Sequence, residues 1–192
     1  MRINFCGDSF CADTGYDSWV SLLSAKLSAS IVGTGVKGSC HEIAIQSFNP
    51  KADVTIFTWT HHSRIHNKKR YPMNHSSVRR GTLDIAPNTN EWKAGYAFYK
   101  YLYEDSYFRD RQFRDLYWFD REVLSKYKKP IIHLWCFGKN YAFLNGKVLP
   151  EVLRNSFSYT HHAEQSNFPN HMSPADNKKL SKIVLSMIEH QL

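Results

Sequence analysis

Residues 2–10 read RINFCGDSF, a short apolar stretch that runs directly into Gly-Asp-Ser. The apolar part predicts a β-strand, so the polar triplet stands at the carboxyl end of that strand. Gly7 permits a tight turn, Asp8 can brace it, and Ser9 is left exposed at the edge of the sheet. Binding and catalytic groups of α/β proteins gather at this edge, which makes Ser9 the first candidate functional residue.

Strand and helix patterns alternate along the rest of the chain. The further strand patterns are ASIV (29–32), DVTIFTWT (53–60) and PIIHLWCF (130–137), and the helical patterns are 17–27, 39–48, 89–104, 106–127 and the stretch from Pro174. Ser39 followed by Glu42 predicts a capping box at the second helix. The alternation predicts an α/β fold of three layers, with helices on both faces of a mostly parallel sheet.

The composition is that of a single globular domain, residues 1–192, without a repeat or a low-complexity linker. No apolar run is long enough to span a membrane. The first residues lack the apolar region of a signal peptide, which predicts a cytoplasmic location. The four cysteines have no C-x-x-C spacing, which predicts reduced, buried thiols. Neither they nor the ten histidines show metal-ligand spacing, so we expect no metal and no cofactor.

The formal net charge of +8 suggests an anionic partner. Much of this charge lies in residues 61–84, where six Lys or Arg and four His accompany one acid, Asp84. This stretch follows a predicted strand, so it leaves the sheet at the same edge as Ser9. We predict that the basic loop 61–84 contacts an anionic substrate or partner, with Arg64 as the cation that faces the pocket.

Residues 33–38, GTGVKG, fit the G-x-G-x-x-G pattern of dinucleotide-binding turns. Such a turn normally follows the first strand, and an acidic residue then closes the second strand. Here a strand–helix unit precedes the pattern, and Asp53 begins its strand instead of ending it. The pattern favours another role, in which Gly38 lies beside Ser9 and aims its backbone N–H at an oxyanion. An NAD-dependent enzyme is the distant alternative.

The order and spacing of three motifs resemble the SGNH (GDSL-type) hydrolase family. Gly7-Asp8-Ser9 matches the first block of the family, which is followed by a helix that here carries Trp19. Gly38-Ser39 matches the glycine and small polar residue that end the second block. In the last block, Asn170-His171-Met172-Ser173-Pro174 places a histidine just before the C-terminal helix.

The resemblance implies a flavodoxin-like SGNH hydrolase fold and a serine mechanism without a cofactor. Ser9 is then the nucleophile and His171 the general base. The backbone N–H groups of Ser9 and Gly38 form the oxyanion hole.

Two family positions carry different residues in this chain. The third family block is Gly-x-Asn-Asp after the third strand. Here Thr60 occupies the glycine position and His62 the asparagine position, where the ring of His62 can donate a hydrogen bond. His61 and Ser63 compete with His62 for this place. The family also carries Asp three residues before its histidine, where this chain has Phe168. The group that orients His171 is then Asn167, Asn170, Glu164 or a backbone carbonyl.

These features predict a serine ester hydrolase that removes a small acyl group, such as acetyl, from a polar or carbohydrate substrate through a Ser9–His171 dyad. The alternative is a catalytically weakened or inactive SGNH-fold binding module, which uses the basic loop 61–84 for an anionic glycan or nucleic acid. The sequence determines neither the acyl group and the leaving group nor the oligomeric state.

Overall fold

The structure is a computed structural model that describes residues 1–13, 15, 17–66, 89–136, 141–149 and 172–191. Within these ranges, five strands form one parallel sheet in the order β2-β1-β3-β4-β5. The strands are β1 (Arg2–Gly7), β2 (Ser30–Gly33), β3 (Val54–Trp59), β4 (Ile131–Trp135) and β5 (Lys147–Leu149). In this flavodoxin-like order the winding reverses between β1 and β3, whose carboxyl ends open a crevice. We call this crevice the switch point.

Helices cover both faces of the sheet, which confirms the predicted three-layer α/β fold. In the described residues they are α1 (Trp19–Lys26), α2 (His41–Gln46), α3 (Asn90–Tyr101), α4 (Asp105–Trp118) and α5 (Pro174–Glu189). One apolar cluster packs α1 and α5 against Phe5 and Ile56, and the other packs α2 and α4 against Phe57 and Trp59. Successive strand residues point to opposite faces, so β3 contributes to both clusters. No helix in the described ranges is long and apolar enough to cross a membrane.

Two local expectations differ from the structure. The capping box at α2 is wrong: Cys40 occupies the N-cap position without a side-chain hydrogen bond. The Ser39 hydroxyl instead donates to the Gly7 carbonyl at 2.8 Å, so it binds a group distant in the chain and does not cap the helix. The strand β5 lies in a stretch for which the sequence predicted no element, because three residues are too short to show a pattern.

His133 is a polar side chain fully buried in the core. Its Nδ1 accepts a hydrogen bond from Trp59 Nε1 at 3.0 Å, and its Nε2 donates to the Asn145 carbonyl at 2.9 Å. The ring also stacks on Phe143, with 3.7 Å between centroids. Burial lowers the pKa of His133 to about 4, so the ring is neutral at pH 7.

We expect the free energy of unfolding to fall as the pH is lowered from 6.5 towards about 4. An unfolded histidine takes up a proton near 6.5, whereas folded His133 does so only near 4. The unfolded state therefore binds more protons in this window, and about 3 kcal/mol of stability is lost across it. Urea unfolding at several pH values measures this slope.

The matched variant is His133→Gln, because a glutamine amide can accept from Trp59 and donate to Asn145 but does not titrate. This variant should have a flatter dependence on pH than the wild type. The control, His190→Gln, alters an exposed residue after α5 and should keep the wild-type slope. Equal slopes in wild type and His133→Gln would contradict the prediction.

Candidate functional site

The Gly-Asp-Ser triplet forms a turn at the switch point. β1 ends at Gly7, and a 3-10 turn then covers Ser9–Cys11. Asp8 caps this turn, since its Oδ1 accepts the Phe10 N–H at 3.0 Å. Ser9 is the first residue of the turn and is half-buried. The structure thus places Ser9 at the carboxyl end of β1, in the crevice that α/β sheets use for ligands.

Gly7 is required at the start of this turn for two reasons. Its φ is +153°, a backbone conformation that favours glycine. A Cβ at this position would lie 2.0 Å from Thr58 Oγ1 and 2.5 Å from the Thr58 carbonyl oxygen. The close approach of β1 to β3 therefore excludes a side chain immediately before Asp8.

Asp8 is a fully buried carboxylate, and Arg64 neutralises it. Arg64 Nη1 donates to Asp8 Oδ2 at 2.7 Å, and the Arg64 side chain is only 13% exposed. The same nitrogen lies 3.4 Å from the Ser39 carbonyl oxygen. A salt bridge buried this deeply fixes the Gly-Asp-Ser turn to the segment after β3. The role of Arg64 in substrate binding stays a prediction.

The glycine-rich loop after β2 packs directly against the turn. Gly35 N–H donates to the Cys11 carbonyl at 3.0 Å, and Val36 N–H donates to the Gly7 carbonyl at 2.9 Å. A Cβ on Gly35 would lie 2.2 Å from the Asp8 carbonyl oxygen, so only glycine permits this approach. These contacts give the G-x-G-x-x-G pattern a structural role that needs no nucleotide.

Gly38, in the same loop, is half-buried and has a φ of +70°. This left-handed conformation is one that glycine adopts without steric cost. The conformation by itself accounts for a glycine here, and the oxyanion role of the Gly38 N–H stays a prediction.

The segment after β3 carries Thr60 and His62, the residues at the altered family positions. Both are buried. The Thr60 carbonyl accepts from Gln112 Nε2 at 3.0 Å, and His62 Nε2 lies 2.8 Å from Asp105 Oδ1. A carboxylate accepts hydrogen bonds, so His62 Nε2 carries the proton of this contact, and this hydrogen bond lowers the pKa of Asp105. That nitrogen is therefore committed to Asp105, and the oxyanion roles of Thr60 and His62 stay predictions.

His61, beside His62, has a different hydrogen-bonding state. Ser63 donates its backbone N–H to His61 Nδ1 at 3.1 Å, so the ring proton is on Nε2. Burial, followed by the neighbouring His62, lowers the pKa of His61 to about 4. At pH 7 this ring is neutral and carries one N–H donor, the state that suits stabilisation of an oxyanion. From the sequence, His61 was only an alternative to His62 for the family's asparagine position, because a local pattern does not show the hydrogen-bond partners of a side chain.

His171 lies outside the described residues, as do Phe168, Glu164, Asn167 and Asn170. The next residue, Met172, is buried in the same apolar cluster as Phe10. The side chain of Asn177 connects this residue to α1. Its Nδ2 donates to the Met172 carbonyl at 3.1 Å, and its Oδ1 accepts the Trp19 N–H at 2.8 Å. Trp19 Nε1 in turn donates to the Phe10 carbonyl at 2.6 Å. The start of α5 is thereby connected to the turn that carries Ser9.

The four cysteines are free thiols, as predicted, and all are buried. Burial raises the pKa of Cys11, two residues after Ser9, and that of Cys136. A thiol acts as a nucleophile only as the thiolate, so these cysteines are poor nucleophiles. Ser9 carries the one hydroxyl of the turn Ser9–Cys11, and its role as the nucleophile stays a prediction.

Comparisons with known proteins identify no family. No protein-family model matches the chain, and no curated protein matches it. Among the solved structures that match is a crystal structure with a TM-score of 0.45 and 14% sequence identity over 98% of this chain and 96% of the other. A likeness at this level supports no inference about activity.

Proposed function

We propose that this chain is a serine ester hydrolase of SGNH type, which removes a small acyl group such as acetyl from a polar or carbohydrate substrate. The observation that supports this most strongly is the bracing of the Gly-Asp-Ser turn. Gly7 and Gly35 permit close backbone approaches, and the Asp8–Arg64 ion pair is buried beneath the turn. A turn fixed in this way presents Ser9 at the switch point with little freedom to move.

The proposed reaction has two steps. Ser9 Oγ attacks the acyl carbonyl carbon while His171 accepts the hydroxyl proton, and the N–H groups of Ser9 and Gly38 stabilise the oxyanion. The bond to the leaving oxygen then breaks, and that oxygen takes the proton from His171 and departs as an alcohol. Water attacks the acyl-serine with His171 again as the base. The products are the carboxylic acid and the regenerated hydroxyl of Ser9.

The described geometry favours His61 over His62 as the third oxyanion donor. His62 Nε2 already donates to Asp105, whereas His61 is neutral with its proton on Nε2. In this proposal His61 supplies the hydrogen bond that the family's asparagine supplies. A neutral imidazole donor avoids burying a second positive charge near Arg64.

Labelling with a fluorophosphonate probe tests the proposal. We expect a single adduct on Ser9 in the wild type, because only an activated serine reacts with this electrophile at an appreciable rate. The labelling rate should fall strongly in His171→Ala, which lacks the proposed base. Intact mass and peptide mapping identify the modified residue. His190→Ala, at the exposed end of α5, is the matched control and should label at the wild-type rate.

Absence of an adduct from folded protein at neutral and alkaline pH would contradict the hydrolase proposal. The commitment of His62 to Asp105 is the observation that would then favour the second candidate, a binding module that has lost catalysis. Binding of an anionic glycan or a nucleic acid through the basic loop 61–84 would weaken with added salt and would be unaffected by Ser9→Ala.

A further inference from the structure

A second group of polar side chains lies between α2 and α4, in a place that the proposed reaction does not use. It consists of His41, Glu42, Arg111 and Asp115, and we call it the α2–α4 cluster. His41 is only 3% exposed. One ligand atom from each of His41, Glu42 and Asp115 lies within 4.8 Å of the others.

Two buried atoms of this cluster lack a hydrogen-bond partner among the described residues. They are Nδ1 of His41 and Oε2 of Glu42. The two atoms lie 3.3 Å apart, yet they form no hydrogen bond with each other. Buried polar atoms normally find a partner, because an unpaired one has lost its hydrogen bonds to water without a replacement. Two such atoms that face each other point to a group that would bind both.

The other nitrogen of His41 determines what that group is. His41 Nε2 lies 2.9 Å from Asp115 Oδ2, and a ring nitrogen contacts a carboxylate by donating its proton. In the neutral ring this leaves a lone pair on Nδ1, directed towards the carboxylate oxygen Oε2. A lone pair and a carboxylate oxygen repel each other at 3.3 Å unless a cation lies between them.

We propose that His41 and Glu42 bind a divalent transition-metal ion, with Zn²⁺ as the reference ion, through Nδ1 and Oε2. Zn²⁺ binds nitrogen and oxygen at about 2.0–2.1 Å, so ligand atoms 3.3 Å apart subtend roughly 107° at the ion, close to the tetrahedral angle. An imidazole paired with a carboxylate suits Zn²⁺ and its first-row neighbours, whereas Mg²⁺ and Ca²⁺ prefer oxygen ligands alone.

The remaining two residues fit the role of a supporting shell. Metal-binding histidines usually donate their second N–H to a carboxylate, which fixes the tautomer and the ring orientation, and Asp115 accepts that N–H here. Arg111 Nη2 contacts Oε1 of Glu42 at 2.8 Å and leaves Oε2 for the ion. With His41 neutral, two carboxylates and one guanidinium give the cluster a net negative charge. Both proposed ligands lie on α2 and both supporting residues lie on α4, so the contacts of the cluster join the two helices.

The rival state of this cluster is a protonated His41 that lies between the two carboxylates without a metal. The two states differ at Nδ1, which carries a lone pair that binds the ion in one and a proton in the other. Nitrogen-15 NMR of the histidine side chains distinguishes a metal-bound, a protonated and a lone-pair nitrogen at a single residue. Because the readout is specific to His41, binding of Zn²⁺ to other histidines does not obscure it.

The experiment uses the full chain, first dialysed against a chelator and then titrated with Zn²⁺, with Mg²⁺ as the comparison ion. We expect Zn²⁺ to move the Nδ1 resonance of His41 to a metal-bound value while Nε2 keeps its proton, and we expect Mg²⁺ to leave both unchanged. A His41 ring that carries protons on both nitrogens at pH 7 and does not respond to Zn²⁺ would overturn the proposal.

Two variants locate the ligands. Glu42→Gln keeps an oxygen for Arg111 but loses the carboxylate, and Asp115→Asn keeps an acceptor for His41 but loses the charge. Each should weaken Zn²⁺ binding at His41 by about tenfold or more. His190→Gln should not change it. Equal affinity in wild type and folded Glu42→Gln would exclude Glu42 as a ligand and overturn the site. These results do not depend on whether Ser9 is a nucleophile.

Discussion

Replacement of Ser9 by alanine is expected to lower kcat/KM for a small aryl acetate by on the order of 10³-fold or more. The substitution removes the atom that forms the acyl intermediate, so the remaining rate comes only from binding and from the oxyanion donors. Ser9 is half-buried on the first residue of its turn, and the turn is held by its neighbours. The free energy of unfolding should therefore change little.

The control for this variant is Ser106→Ala, which alters an exposed serine of α4 whose hydroxyl donates to Glu104. It should retain the wild-type kcat/KM. Release of the aryl alcohol, followed by absorbance, measures the rate, and urea unfolding shows that both variants are folded. A Ser9→Ala variant that hydrolyses the ester at the wild-type rate would show that Ser9 is not the nucleophile.

Much of the fold could be predicted from the sequence, because its signals are local. The strand predicted at 53–60 is Val54–Trp59 in the structure, within one residue at each end. The last helix begins at Pro174, as the sequence predicted. Ser173 caps this helix, since its hydroxyl accepts the Asp176 N–H. Apolar periodicity and caps depend on neighbours in the chain, so a sequence pattern is sufficient to detect them.

The predictions from sequence were wrong where a residue contacts a group that is distant in the chain instead of a neighbouring one. Ser39 and Glu42 have the spacing of a capping box, but the Ser39 hydroxyl donates to Gly7, which precedes it by 32 residues. Gly35 belongs to a pattern typical of nucleotide-binding turns. In the structure, however, a side chain at this position is excluded by the Asp8 carbonyl oxygen, which would lie 2.2 Å from a Cβ. In both cases the competing partner is brought close only by the pairing of β1 with β2 and β3.

The sequence was sufficient to predict where the candidate site lies, but not which side chains contact one another there. Ser9 could be placed at a sheet edge because the strand before it ends there. The partners of Arg64 and His41 could not be found, since Asp8 and Asp115 are separated from them by 56 and 74 residues. Charge partners at such separations leave no periodic signal, and only the assembled sheet brings them into contact.

Arg64→Met is expected to destabilise the fold by about 3–5 kcal/mol at neutral pH, the cost of leaving a buried charge without its partner. Asp8 is fully buried and Arg64 donates to it at 2.7 Å, so the methionine variant leaves the carboxylate without its positive partner. The matched control is Arg2→Met, which breaks an ion pair with Asp53 in which both side chains are well exposed. That variant should cost about 0–1 kcal/mol.

The double variant Asp8→Asn/Arg64→Met separates the loss of the ion pair from the loss of the arginine itself. Asparagine keeps the oxygen that accepts the Phe10 N–H, and it carries no charge, so the double variant should be more stable than Arg64→Met alone. Urea unfolding of the three variants measures these differences. If Arg64→Met costs no more than Arg2→Met, the buried ion pair does not brace the turn. Should the double variant recover stability while KM stays raised in both variants that lack Arg64, the guanidinium also contacts the substrate. A recovered stability with a wild-type KM assigns Arg64 to the turn alone, because a bracing residue acts on the substrate only through the position of Ser9.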